Sequence, residues 1–127
     1  MGKPVMSSVE RVETTGLNTK VSKEVFQKFK DFCAYQGYPM NVMIETFMRQ
    51  YTNGRYKLSN DQIMKWKRED YELNTLNTTF CKEIYQNFKL VCKGNGYFVR
   101  HVIIAFMEDI SDKKYILEYV IPENKNH

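Results

Sequence analysis

Histidine is scarce in this chain, with only His101 and His127, and the three cysteines Cys33, Cys81 and Cys92 share no C-x-x-C spacing. With so few clustered ligands, no metal site is expected. An odd number of cysteines without paired spacing is no disulfide framework. No apolar run approaches the length of about 18 residues that a membrane-spanning helix needs. The N-terminus, MGKPVMSSVERVETT, has no apolar stretch of the signal-peptide kind, so a cytoplasmic location is expected. Glycine-rich phosphate loops and nucleophile–base spacings are also missing, and the carboxylates are scattered among lysines. The chain therefore reads as neither an enzyme nor a cofactor carrier. Excess charge is modest: 19 Lys and Arg against 15 Asp and Glu give +4. That suits a polyanionic partner without requiring one.

What is present is length and apolar content enough for one domain: 127 residues, 43% of them hydrophobic. The chain also contains itself twice. Residues 17–51 and 76–110 align without gaps at a shift of 59, with 14 of 35 positions identical. Chance at ordinary composition gives about two. The matches include Leu17/Leu76, Asn18/Asn77, Thr19/Thr78, Phe29/Phe88, Cys33/Cys92, Gly37/Gly96 and Phe47/Phe106. Such self-similarity marks two structurally equivalent units.

Each unit divides in three. Leu17, Thr19 and Val21 alternate with Gly16, Asn18 and Lys20, and Leu76, Thr78 and Phe80 alternate with Thr75, Asn77 and Thr79. This is strand periodicity. A helix follows, with Ser22 or Cys81 near its N-cap and an apolar stripe at Val25, Phe29, Phe32 and Cys33. Ile84, Phe88, Val91 and Cys92 repeat that stripe. Gly37 and Gly96 suit left-handed C-caps. A second helix carries Met40, Met43, Ile44, Phe47, Met48 and Tyr51, matched by Val99, Val102, Ile103, Phe106, Met107 and Ile110. Pro39 fits its first turn. A lone six-residue strand leaves its edges unpaired, so residues 16–21 are expected to pair with 75–80. Antiparallel pairing would create a pseudo-two-fold axis, with four helices over one face of the ribbon.

This ordered set, present twice, resembles the ribbon-helix-helix superfamily of the Arc and MetJ repressor type. The carriers are L-N-T-K-V, S-K-E-V, Gly37 and the Ile44/Met48 stripe, then L-N-T-T-F, C-K-E-I, Gly96 and Ile103/Met107. The resemblance covers residues 16–51 and 75–110. It implies a mainly α fold with a two-stranded antiparallel ribbon, two ribbon-helix-helix units in one chain forming an intramolecular pseudo-dimer. It also implies sequence-specific binding of double-stranded DNA, with the outward ribbon face in the major groove. Mapped by position, the base-contacting residues are Gly16, Asn18, Lys20, Thr75, Asn77 and Thr79. The phosphate-contacting ones are Met40, Asn41, Val99 and Arg100, at the starts of the second helices. Pro39 and Phe98 stand where many members carry a small hydroxyl residue. Unlike halves imply an asymmetric site with unlike half-sites. Transcriptional repression and an accessory role in plasmid transfer, with a relaxase or other protein partner and self-association on DNA, both fit. A protein-interaction module that has lost DNA binding is the alternative, favoured by a ribbon face with a single Lys.

The remaining segments read as a flexible arm over 1–15, a connector over 52–74 and an extension over 111–127. Ser59 with Gln62 resembles a capping box, so a short helix over about 60–70 is expected, with Ile63 and Trp66 inward. The connector's Arg55, Lys57, Lys65, Lys67 and Arg68 exceed its acids by one, which suits a solvated linker. Lys3, Arg11 and Arg100 could supplement the ribbon's charge. Tyr115–Ile121 either packs on the core or offers an edge for self-association. Cys33 and Cys92 read as buried core residues rather than a redox pair. Cys81, at a helix start, has no visible partner base. His101 reads as a surface or phosphate-adjacent residue. The methionine stripe reads as core.

Overall fold

An isolated strand of this length cannot satisfy its backbone, so its partner decides the architecture. The computed structural model describes residues 13–68 and 70–113. Strand β1 (Thr14–Ser22) leads into helices α1 (Lys23–Gln36) and α2 (Met40–Thr52). Helix α3 (Asn60–Met64) continues as one 3-10 turn (Lys65–Lys67). Strand β2 (Leu73–Cys81) then leads into α4 (Lys82–Gly94) and α5 (Val99–Lys113). The described chain is mainly helical, with one two-stranded antiparallel sheet.

The strands are longer than the expected 16–21 and 75–80. Thr14 faces Cys81, and Ser22 faces Leu73, so each strand end pairs with residues leading into the other's helix. The ladder runs on into the helices. Lys23 N–H donates to the Glu72 carbonyl at 2.8 Å, and Lys82 N–H to the Glu13 carbonyl at 2.9 Å. Each bond satisfies a helix-start donor that has no partner within its own helix. Thr14 and Thr15 therefore belong to the sheet and not to an arm. The rest of the expected arm, with Lys3 and Arg11, lies outside the described residues, as does Tyr115–Ile121.

Helix caps follow local chemistry. Ser22 Oγ accepts from Val25 N–H at 3.3 Å; Cys81, in the matching place, makes no side-chain cap bond. Gly37 is a left-handed cap at φ 79°. Gly96 is also left-handed, at φ 82°, but stands one residue beyond the Asn95 cap. Tyr38 N–H bonds the Cys33 carbonyl, and Tyr97 N–H the Cys92 carbonyl, so both turns close the same way. Pro39 precedes α2 as its N-cap rather than occupying the first turn. The connector helix is shorter than expected, although the Ser59–Gln62 capping box forms reciprocally and Ile63 and Trp66 are buried. Helix α5 runs to Lys113, beyond the expected end at Ile110.

The core lies between the ribbon's inner face and the helices. Leu17, Val21, Leu76 and Phe80 face it from the strands. Helix α2 packs on β2 and α4, whereas α5 packs on β1 and α1. Each second helix thus covers the strand and first helix of the other half. Phe47 and Phe106 stack at the centre, 4.1 Å between centroids and 12° apart. Phe88 meets Phe47 edge-on, and Phe29 meets Phe106 edge-on, both at 5.7 Å. Edge-to-face and stacked pairs suit the aromatic quadrupole. Tyr56, from the connector, lies roughly perpendicular to both stacked rings, 5.2 and 5.5 Å from their centroids. Its hydroxyl donates to buried Asp109 at 2.6 Å, and Gln62 donates to the other Asp109 oxygen at 3.0 Å. The connector is therefore bonded to α5 through Tyr56 and Gln62, a contact not expected, while its Arg55, Lys57, Lys65, Lys67 and Arg68 are exposed. In α4 the deeper core residue is Tyr85, with the expected Ile84 only partly buried.

Candidate nucleic-acid interface

Burial of one strand face forces the alternate residues outward, because strand side chains alternate. The outward ladder is Gly16 opposite Thr79, Asn18 opposite Asn77, and Lys20 opposite Thr75. All six are exposed. The structure thus brings all six expected base-contacting residues onto one face. At the longer strands' ends the same alternation adds Thr14, opposite Cys81, and Leu73, opposite buried Ser22. The signal for them is weak: Thr14 and Leu73 merely continue the alternation into polar surroundings.

Lys20 Nζ donates to Thr75 Oγ1 at 2.9 Å, straight across the ribbon. An ammonium has three donors, so this bond leaves others for a ligand. Asn18 and Asn77 face one another at the centre. A carboxamide carries both donor and acceptor and can pair bidentately with an adenine edge. At the opposite end Gly16 offers no side chain beside Thr79.

Four further residues were expected at the starts of the second helices. Met40 and Asn41 open α2; Val99 and Arg100 open α5. Neither helix has an acidic residue in its first turn, so the positive end of each backbone dipole is not offset there. A shallow hollow of about 410 Å3 joins the ribbon to the start of α5. Leu17, Asn18 and Thr19 line it from β1, and Phe98, Val99 and Arg100 from the other side. Asn18, Val99 and Arg100 are therefore brought together. Phe98, 67% exposed, forms part of this rim. The sequence showed Phe98 only as the residue standing in place of a hydroxyl.

Helix α2 meets β2 differently. Glu45 Oε1 accepts the Cys81 backbone N–H at 3.2 Å, which brings a carboxylate to that strand end. Asn41 is exposed and Met40 half-buried, and here no basic side chain corresponds to Arg100.

His101 contradicts its expected surface position. It is 4% exposed, beneath the Phe98 ring at 5.4 Å between centroids. Cys33 and Cys92 are buried, and desolvation pushes both thiols up to about 12. A second hollow, of about 580 Å3, lies away from the ribbon between α1 and the end of α5, with Lys28, Asp31, Tyr35 and Asp112 on its walls. Among the described residues no group of three or more His, Cys, Asp or Glu could hold a metal ion. Nor is any described helix long and apolar enough to cross a membrane. No family model, curated protein or solved structure matches this chain.

Proposed function

We propose that this chain is a tandem ribbon-helix-helix protein that binds double-stranded DNA sequence-specifically, with the outward face of its β1–β2 ribbon in the major groove. The observation that carries the reading is the ladder of six exposed small or polar residues, centred on Asn18 opposite Asn77. A two-stranded ribbon fits the major groove, where each base pair shows a distinct donor and acceptor pattern. The arrangement of the halves supports the tandem reading. Asn18 is the outward residue that faces its own counterpart at the 59-residue shift, and the central Phe47–Phe106 stack joins another such pair. Val99 and Arg100 flank the ribbon where a phosphate backbone would pass. Repression and an accessory role in plasmid transfer both follow from such a reader, and the location of its site chooses between them.

A protein-docking module on the same scaffold is the second reading. It is favoured by the single cation on the ribbon face, Lys20, which is already hydrogen-bonded to Thr75. Titration against a fragment pool of the source genome separates the two. The wild type is expected to hold discrete fragments. A variant with Asn18, Lys20, Asn77 and Thr79 all replaced by Ala is expected to keep its fold and lose them, at about 1–3 kcal/mol per good base contact. Retained specific binding by that variant rejects ribbon readout.

A further inference from the structure

The ribbon's two ends are not alike, and the register says which residues make them differ. Under the 59-residue shift the counterpart of Gly16 is Thr75 and that of Lys20 is Thr79. The register then places Lys20 with Thr75 at one end and Gly16 with Thr79 at the other. A homodimeric ribbon would carry the same pair at both ends. Here one end holds an ammonium and a hydroxyl bonded at 2.9 Å, and the other holds one threonine beside a gap.

We infer that Lys20 sets the direction in which the protein sits on its DNA, by selecting guanine at one end of the site alone. This rests on the DNA-reading proposal and deepens it. A donor-only ammonium matches the two acceptors of guanine, O6 and N7, and is not matched by the amino groups of adenine or cytosine. Its bond to Thr75 holds the head over its own end of the ribbon rather than letting it sweep toward the centre. Thr79 offers a methyl and a hydroxyl, which suit the thymine methyl or discriminate little. The central Asn18 and Asn77 pair serves both directions equally, so it cannot orient the complex. From Thr75 to Thr79 the strand advances about 13 Å, on the order of four base-pair steps. The oriented element is therefore short: guanine at one end, adenines within, no guanine requirement at the other.

The structure also shows how to remove the direction. Gly16 has no positive φ, and a Cβ there would meet only the Thr78 carbonyl at 3.9 Å, an ordinary contact. Thr79 is exposed. The double variant Gly16→Thr/Thr79→Lys gives both ends the same residues, as does Gly16→Thr/Lys20→Thr by the opposite route. The test is selection from a random duplex pool by the wild type and both variants, with thermal melts to verify folding. The wild type is expected to return a non-palindromic motif with guanine at one end. Replacing that guanine is expected to weaken binding about tenfold or more. Gly16→Thr/Thr79→Lys is expected to return a palindrome with guanine at both ends, and Gly16→Thr/Lys20→Thr a palindrome with guanine at neither. A palindromic wild-type motif, or a directional motif that survives in both variants, overturns this inference and leaves DNA reading standing. No motif for any of the three proteins overturns both proposals together.

Discussion

Cys33 and Cys92 occupy matching turns of α1 and α4 and face the same core. Burial disfavours the thiolate, so both titrate near 12 instead of 9.0. Their contribution to stability is complete below the ordinary thiol value, because folded and unfolded chains are then equally protonated. It is lost as pH rises from 9.0 towards 12, where the unfolded chain ionises first. At about pH 8, iodoacetamide is therefore expected to modify Cys81 in the folded protein and all three cysteines in denaturant, since the thiolate is the reactive form. Mass spectrometry reads the outcome, and labelling of Cys33 or Cys92 without unfolding contradicts the packing described. The inward placement of both cysteines was legible from their helical spacing. His101 was not legible. A residue at a helix start is usually exposed, yet this one is buried beside the Phe98 ring.

Helix and strand ends show what local sequence specifies and what it leaves to the partner. The Ser59–Gln62 box, the Gly37 cap and both apolar stripes rest on residues a few positions apart, and their spacing reveals them. The strand limits do not. Thr14–Thr15 and Leu73–Asn74 become strand because they face Phe80–Cys81 and Val21–Ser22 across the ribbon. The unequal caps give a direct test at this scale. Ser22 bonds Val25 N–H, whereas Cys81 caps nothing with its side chain. Ser22→Ala is expected to cost about 1 kcal/mol, and Cys81→Ser to gain roughly 0.5–1 kcal/mol by supplying the missing acceptor. Urea midpoints measure both. Equal and negligible shifts would mean that ribbon pairing alone, through Lys23 and Lys82, secures these helix starts.

At the scale of the whole molecule, neither half closes its own core. Helix α5 covers β1 and α1, and α2 covers β2 and α4, so a half chain lacks both its strand's partner and its lid. The fragment 1–58 is expected to be unfolded or to pair with a second copy. Circular dichroism with light scattering checks this, and a folded monomeric fragment contradicts the single shared ribbon. The pairing of the two strands was legible because the internal repeat supplied two identical needs, and among the described residues each strand is the other's partner. The connector's part was less so. Ile63 and Trp66 were expected inward, but Tyr56 and Gln62 bonding Asp109 on α5 is a contact between distant residues.

The proposed reading of DNA depends on phosphates as well as bases, which makes salt the most direct probe. The measurement is the affinity of the intact chain for its best genomic fragment over a series of salt concentrations. Log affinity is expected to fall linearly with log salt, by about 0.9 for each phosphate neutralised, with discrete fragments preferred throughout. Absence of binding at low salt would contradict DNA recognition by this ribbon and assign the exposed face to a protein partner.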